Sequence, residues 1–341
     1  MNDRFLRACR RQPVDCTPVW FMRQAGRYMP EYRALRARYS MMQLCREPSL
    51  AAQVTLQPMR LGVDAAIVFS DILLPLDPMG AAVRFVEGHG PVIDNPVRSA
   101  RDVEALRRIE PRESLRYVMD AIGLAKKELE VPLIGFCGAP FTLASYLVEG
   151  GHSSQHLLTK SLMLGHPKLW HRLMQTLSQV VLHHLQGQIE AGADAVQIFD
   201  SWVGQLNTQD YETFVLPHVR QIIAGIASYA VPVIYFGTAT ATLLAAIATT
   251  GANVISVDWR VNLDDAWTRI GHDLAIQGNL DPCVLCAPMH VIEARVNEIL
   301  DRASGRPGHI FNLGHGILPP TPPENVAAVV ELVHRYSSQH R

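Results

Sequence analysis

Residues 195–202 read AVQIFDSW, and this stretch contains the pattern that decides the fold. Its first five residues are mostly apolar, and the polar residues Asp200 and Ser201 follow directly. A short apolar run that ends in polar residues and adjoins an amphipathic stretch is typical of a buried strand in a parallel sheet. Further copies of this unit would therefore define the architecture.

Eight such runs occur along the 341 residues, at 18–21, 65–69, 132–136, 195–199, 232–236, 254–257, 274–277 and 309–313. Stretches with the 3.6-residue spacing of surface-packed helices lie between them, among them 49–61, 115–129, 167–191, 209–226, 287–300 and 323–334. Because strands and helices alternate along the whole chain, the sheet should be parallel.

Two α/β architectures fit this alternation, a closed barrel and an open doubly wound sheet. Eight units in this length favour the barrel, and the glycine-rich nucleotide fingerprints of the open sheet, GxGxxG and GxxxxGK[ST], do not follow the early strands. Residues 83–95, VRFVEGHGPVIDN, alternate around a glycine-rich turn and predict a hairpin. We predict a single-domain (β/α)8 TIM barrel over residues 1–341, with a β-hairpin insertion between strands 2 and 3.

Positive charge is concentrated near the start of the chain. Residues 1–40 hold nine arginines and three acids, a local charge of +6 in a chain of net charge −1. Arginine binds carboxylates and phosphates through a planar fork of donors, so the cluster indicates an anionic partner. A solvated basic face is the alternative, and the chain's general preference for arginine, 27 against 4 lysines, weakens the argument.

Composition argues against several classes of protein. No apolar core of a secretory signal is found near Met1, and proline and glycine interrupt the most apolar stretch, 229–255, so we expect a cytoplasmic protein without a membrane span. The near-neutral charge and the absence of a basic stripe with interleaved aromatics argue against nucleic acid. Six cysteines are too few for a disulfide scaffold, and Cys283 and Cys286 form a C-x-x-C pair that lacks the further ligands of a metal site.

Catalytic residues of such barrels lie at the carboxyl ends of the strands. The residues at these positions are Arg23 and Arg27, Ser70 and Asp71, Cys137, Asp200 and Ser201, Asp258, Asn279 and Asp281, and His315. Asp71 is flanked by apolar residues, so it is either a helix cap or an anion held in a dry cavity. His315 lies between two glycines. For His315, Tyr146 and Ser201, a structural role and a role in ligand binding both remain open.

Five segments together resemble uroporphyrinogen decarboxylase, in family order and over essentially the whole chain. They are MRQAGRY (22–28), FSDIL (69–73), GFCGAPFTLASYLVEGG (135–151), FDSW (199–202) and FNLGHGILPPTPPEN (311–325). The resemblance implies a barrel, usually a homodimer, that converts uroporphyrinogen to coproporphyrinogen without metal or organic cofactor. It implies substrate binding by Arg23, Gln24, Ala25, Gly26, Arg27, Asp71, Tyr146, Ser201 and His315, with Asp71 and Arg23 catalytic.

The predicted chemistry requires an electron sink, because loss of carbon dioxide from an acetate arm leaves a carbanion. Protonation of the pyrrole at carbon creates a cation that accepts these electrons, and we expect Asp71 to stabilise it by accepting hydrogen bonds from the pyrrole N–H groups. Arg23 is the candidate proton donor by position, although a guanidinium is a weak acid. Phe136 and Phe199 should line the apolar part of the pocket.

Two other functions remain to be compared with this one. Zinc-dependent methyltransferases of the same fold hold zinc through an H-x-C motif, and this sequence contains no H-x-C. A tetrapyrrole-binding protein without turnover would not need Asp71, Tyr146 and both loop arginines.

Overall fold

The computed structural model describes residues 2–86 and 90–340. Its strands are β1 (Ala66–Ile67), β2 (Val83–Val86), β3 (Gly90–Ile93), β4 (Leu133–Gly138), β5 (Ala195–Asp200), β6 (Val233–Gly237), β7 (Val254–Ser256), β8 (Ala275–Gln277) and β9 (His309–Ile310). Seven of them form one parallel sheet in the order β1-β4-β5-β6-β7-β8-β9. Apart from the separate β2–β3 pair, neighbours in the sheet follow chain order, as repeated right-handed β-α-β units require.

The first predicted strand, 18–21, is present as a short bridged segment. Val19 forms a parallel bridge with Phe311, just beyond β9, and the Phe311 N–H donates to the Pro18 carbonyl at 2.9 Å. Toward β1, the Asp64 N–H donates to the Val19 carbonyl at 2.7 Å, whereas the Val19 N–H donates to the Asp64 carboxylate at 2.8 Å. A side chain thus replaces one backbone partner, and a regular ladder does not develop there.

The α-helices cover the sheet between successive strands. They are α1 (Arg4–Cys9), α2 (Pro30–Arg36), α3 (Met41–Arg46), α4 (Pro48–Leu56), α5 (Ala100–Ala105), α6 (Pro111–Ser114), α7 (Arg116–Lys126), α8 (Pro140–Glu149), α9 (Leu157–Gly165), α10 (Pro167–Glu190), α11 (Thr208–Phe214), α12 (Leu216–Ile226), α13 (Leu244–Ile247), α14 (Leu263–Ile270), α15 (Met289–Ala303) and α16 (Pro323–Gln339). Short 3-10 turns lie at Gln57–Leu61, Leu74–Leu76, Val203–Gln205, Ala227–Tyr229, Ala248–Thr250 and Pro282–Cys286.

One predicted helix, 209–226, is two helices in the structure. The break falls at Val215, between α11 and α12, and Pro217 lies in the first turn of α12. Proline has no N–H to donate and clashes with the preceding turn of a helix, so it is tolerated at a helix start and not in the middle of one. The other predicted helical stretches overlap α4, α7, α10, α15 and α16, although α4 begins one residue earlier and α15 and α16 end later than predicted.

The inner side of the curled sheet is filled by side chains rather than open. A buried apolar cluster includes Trp20, Ile134, Ile234, Phe236 and Ile310. Polar side chains also lie inside and are paired: Trp20 Nε1 donates to Gln277 Oε1 at 2.9 Å, and Gln277 Nε2 donates to Gln197 Oε1 at 3.1 Å and to Ser256 Oγ at 2.9 Å. A packed interior of this kind provides a rigid base for a site at the strand ends.

The stretch predicted as a hairpin contains β2 and β3, which pair antiparallel from Val83 opposite Ile93 to Val86 opposite Gly90. Its turn, residues 87–89, lies outside the described residues. Within the described part of the chain, no helix has the length and apolar character needed to cross a bilayer.

Candidate active site

The loop after the first bridged segment carries the two predicted binding arginines. Arg23 has a φ of 59°, in the left-handed region that side-chain-bearing residues rarely adopt. The loop is held there because the Gln24 N–H donates to the Phe21 carbonyl at 3.0 Å. Strained backbone that its surroundings enforce is common at functional sites.

Gln24 stabilises this loop through hydrogen bonds on its buried side. Its side chain is buried, accepts from the Phe21 N–H at 3.1 Å and donates to the Ala65 carbonyl at 3.0 Å. Its own carbonyl accepts from the Tyr28 hydroxyl at 2.7 Å. The side chain therefore points into the protein, so any contact of Gln24 with a ligand would come from its backbone.

Ala25 and Gly26 are partly exposed, whereas Arg23 and Arg27 are exposed. Among the described residues, no acid lies within salt-bridge distance of either guanidinium, although many other arginines of the chain are paired. Two arginines without a close carboxylate, on one short loop, leave their donors available to an anionic ligand.

Asp71 follows β1, and its carboxylate makes a local hydrogen bond to the backbone. Its Oδ1 accepts from the Leu73 N–H at 2.9 Å, which fixes the carboxylate at the start of a short helical turn, Leu74–Leu76. No donor among the described residues reaches Oδ2. The residue is partly accessible to solvent.

Burial raises the pKa of Asp71, and the Leu73 N–H and the positive charge of Arg23 partly oppose this change. Burial also raises the pKa of Tyr146, and the neighbouring Asp71 charge adds to that increase. His315 has its pKa lowered to about 4, by burial first and by the Arg23 charge second. Three side chains from separate parts of the chain, Asp71, Tyr146 and His315, therefore lie within electrostatic range of Arg23, and His315 is neutral near pH 7.

Gly316 determines where Arg23 can lie. A Cβ at this position would be 2.3 Å from Cδ, 2.6 Å from Cγ and 3.0 Å from Nε of Arg23. The arginine stem thus rests directly on the glycine backbone, next to His315. Sequence reasoning missed this residue, and its only signal was the second glycine of the GHG stretch.

Aromatic rings form a continuous wall at the strand ends. Phe136 contacts Phe199 with ring centroids 5.3 Å apart, Phe199 contacts Phe236 at 5.6 Å, and Phe236 contacts His315 at 6.4 Å. Phe136 and Phe199 are partly exposed, whereas Phe236 is buried. Phe236 was not predicted for the site, although it ends an apolar run as the other two phenylalanines do.

Tyr146, on α8, lies 9% exposed with its ring 6.0 Å from that of Trp202. Trp202 also contacts His152 and His156, each at a centroid distance of 5.3 Å. Ser201 is partly exposed beside this group, and its carbonyl accepts from the Thr238 hydroxyl. The FDSW stretch therefore contributes an aromatic residue, Trp202, that sequence reasoning had not selected.

Other strand-end candidates have protein partners. Asp200 is buried and accepts from Thr142 at 2.8 Å and Tyr235 at 2.6 Å, and burial raises its pKa to about 6. Asp258 accepts from the Ala239 N–H and from Arg260. These contacts give both carboxylates a structural role at the rim.

Cys137 is buried, and burial raises its pKa to about 12. Asn279 donates to backbone carbonyls, and Asp281 caps a 3-10 turn. Ser70 is partly exposed next to Asp71. Among the described residues, no three or more histidine, cysteine, aspartate or glutamate side chains are grouped to hold a metal ion.

Comparison with known proteins places this arrangement in a family. A solved structure of a methyltransferase from Methanosarcina mazei shares the fold, with a TM-score of 0.80, 21% identity and 98% coverage of both chains. Uroporphyrinogen decarboxylase from Sorangium cellulosum (strain So ce56) is 59% identical over 98% of this chain and 96% of its own length.

The protein of the same name from Chloroflexus aurantiacus (strain ATCC 29366 / DSM 635 / J-10-fl) is 55% identical over 98% of this chain and 96% of its own length. The sequence profile described as Uroporphyrinogen decarboxylase (URO-D) matches residues 1–336. The chain therefore belongs to the uroporphyrinogen decarboxylase family.

Proposed function

We propose that this protein removes the carboxyl groups of the four acetate side chains of uroporphyrinogen III and gives coproporphyrinogen III, a step of porphyrin and heme biosynthesis. One observation carries the proposal beyond family membership. The charge of Arg23 influences the pKa of Asp71, Tyr146 and His315, so a carboxylate, a hydroxyl and a neutral imidazole lie within electrostatic range of the same cation. A substrate with both anionic arms and a ring that becomes cationic needs this combination.

The loop of residues 23–27, which carries Arg23 and Arg27, binds the carboxylate arms of the substrate. Uroporphyrinogen carries eight carboxylates, and the exposed guanidinium groups of Arg23 and Arg27 offer paired donors that form no salt bridge with an acid of the described residues. The local excess of positive charge on residues 1–40 also favours encounter with a highly anionic ligand. Ala25 and the backbone of Gln24 and Gly26 form the floor between the two arginines.

Asp71 interacts with the macrocycle itself. With Oδ1 held by the Leu73 N–H, the carboxylate is oriented so that Oδ2 can accept from the central pyrrole N–H groups. Its charge stabilises the cation that forms when a ring carbon is protonated. Phe136 and Phe199 line the apolar part of the pocket. Tyr146, Ser201 and His315 orient the arms.

The reaction consumes one net proton for each acetate arm that is decarboxylated. Ring protonation generates the cation, the bond from the methylene to the carboxylate breaks, and its electron pair neutralises the ring as carbon dioxide leaves. The exocyclic carbon takes a second proton to become a methyl group, and the ring loses its extra proton. Arg23, beside the reacting arm, is the candidate proton donor and also stabilises the carboxylate before cleavage.

We infer a closed eight-stranded single-domain barrel over residues 1–341, with the 83–95 hairpin between its second and third strands. The parallel bridge between Val19 and Phe311 on one side, and the hydrogen bonds between Val19 and Asp64 on the other, support closure. We also propose a homodimer in the cytoplasm. The exposed leucines Leu157, Leu158 and Leu164 on or beside one face of α9 support an oligomeric contact.

The test is anaerobic incubation of the purified protein with uroporphyrinogen III, with chelator present and no added metal, followed by chromatography of the oxidised products. We expect eight-carboxylate substrate to disappear and four-carboxylate product to accumulate. Unchanged substrate with a protein shown to be folded would contradict the proposal and return attention to a methyltransferase or a tetrapyrrole-binding protein.

A further inference from the structure

A short 3-10 turn after β8, Pro282–Cys286, carries two cysteines that the proposed reaction does not use. Cys283 and Cys286 are both exposed, whereas Cys9, Cys16, Cys45 and Cys137 are buried, and no disulfide joins cysteines within the described residues. The C-x-x-C pair is therefore the accessible thiol site of this part of the chain.

The geometry of the turn brings the two side chains together. A 3-10 helix has about three residues per turn and rises about 2.0 Å per residue, so residues three apart lie one above the other at about 6 Å. Disulfides usually join Cα atoms about 4.4–6.8 Å apart. Ideal 3-10 geometry gives Cys283 and Cys286 this spacing, and both are exposed, whereas Leu285 between them is fully buried.

The backbone of the turn is fixed from both ends. Asp281 Oδ1 accepts from the Cys283 N–H at 2.9 Å, and the Leu285 carbonyl accepts from Asn325 Nδ2 at 2.8 Å. The Cys286 thiol lies 3.7 Å from the Thr321 hydroxyl, on the loop that follows His315 and Gly316. A disulfide would replace that thiol contact.

We propose that Cys283 and Cys286 are a reversible dithiol/disulfide site that exchanges with low-molecular-weight disulfides. The nearby Asp281 carboxylate, the largest influence, raises the pKa of the Cys283 thiol. Because thiolate is the attacking form, exchange begun by Cys283 is slow near neutral pH and accelerates as pH rises.

The exchange proceeds in two balanced steps. One cysteine thiolate attacks a sulfur of the oxidant disulfide, forms a mixed disulfide and releases one small thiol. The second cysteine then attacks the protein sulfur of the mixed disulfide and expels the other small thiol. Two protons leave the cysteines, and two electrons reduce the oxidant.

The experiment uses the reduced full-length protein with glutathione disulfide as the oxidant at several pH values. Unreacted thiols are blocked with an alkylating reagent, and intact mass with peptide mapping locates the modification. We expect wild-type protein to lose two alkylation sites, both in the 282–286 peptide, without retained glutathione, and to regain them after reduction. The Cys283→Ser and Cys286→Ser variants should each retain one glutathione on the remaining cysteine.

Both variants change exposed side chains outside the proposed active site, so their uroporphyrinogen turnover serves as a check of folding. The buried cysteines are internal controls, and burial raises the pKa of three of them, Cys9, Cys45 and Cys137. Glutathione that remains attached to wild-type protein would overturn the proposal, because the second cysteine would not reach the mixed disulfide. Undiminished alkylation of both cysteines in wild-type protein would also overturn it.

Discussion

Replacing Gly316 with alanine tests whether the position of Arg23 limits the proposed reaction. The φ of Gly316 lies outside the left-handed region, so the backbone accepts alanine, and only the new methyl group perturbs the site. That methyl would lie 2.3 Å from Cδ of Arg23, against an optimal carbon–carbon separation of about 3.5 Å. The arginine stem must therefore move by about 1.2 Å or more.

A displacement of this size in the Arg23 side chain should lower the reaction rate if catalysis depends on where that side chain lies. A misplacement of about 1 Å can reduce a rate about 10²-fold, which corresponds to about 2.7 kcal/mol of transition-state stabilisation. The exposed end of Arg23 has no salt bridge within the described residues that would hold it in place. We expect Gly316→Ala to lower kcat/KM for uroporphyrinogen by about 10²-fold.

A double-mutant cycle assigns the effect to its cause. Arg23→Ala removes the atoms that the methyl group would strike, so Gly316→Ala should add little in that background. The assay is anaerobic turnover with chromatographic quantification of each carboxylate intermediate. Gly123→Ala, on α7 with no atom within 4 Å of the added methyl, is the matched control and should retain wild-type kcat/KM.

Three results would refute this reasoning. The first is wild-type kcat/KM in Gly316→Ala, and the second is a full additional loss when Gly316→Ala is combined with Arg23→Ala. A similar loss in Gly123→Ala would be the third, because it would point to a general sensitivity to glycine replacement. Thermal unfolding of each variant separates a local effect from loss of the fold.

The remaining predictions concern charge and pH. Because burial raises the pKa of Asp71 above its ordinary 3.8, kcat/KM should fall as pH decreases through that raised value, and a profile that stays flat down to pH 4 would contradict this. Arg27→Gln should raise KM about 10-fold with a smaller change in kcat, and an unchanged KM would remove Arg27 from substrate binding. Burial lowers the pKa of His184 to about 3, so the folded state binds this proton less readily than the unfolded chain, and stability is lost as pH falls below about 6.5. Between pH 7 and pH 5, the free energy of unfolding measured in urea should fall by about 2 kcal/mol less in His184→Gln than in wild type. An equal fall in both proteins would contradict the low pKa of His184.

The parallel sheet was predictable because apolar runs indicate buried strands, and amphipathic stretches between them indicate helices that pack on the sheet through one face. Seven of the eight runs contain strands of the parallel sheet. The segment 18–21 was harder to predict in detail, because the side chain of Asp64 takes the Val19 N–H in place of a backbone partner. The division of 209–226 at Val215 was readable in principle from Pro217.

For the candidate site, the sequence predicts a set of strand-end residues, and it does not predict their geometry. The family resemblance implied roles for Arg23, Asp71, Tyr146 and His315, and in the structure the charge of Arg23 influences the pKa of the other three. The close approach of Gly316 to the Arg23 stem could not be read from sequence, because it depends on the left-handed backbone of Arg23 and on the neighbouring strand end.

The measurement closest to the central claim compares binding and single-turnover rate in Asp71→Asn, which keeps the shape of the side chain and removes its charge. For Asp71→Asn, we expect coproporphyrinogen to bind within a few-fold of wild type and the single-turnover rate to be about 10²–10³-fold lower. The control Asp77→Asn changes a partly exposed carboxylate of the same segment and should remain close to wild type in both measurements. A wild-type single-turnover rate in Asp71→Asn would contradict the account, because the buried carboxylate would then not stabilise the cationic ring.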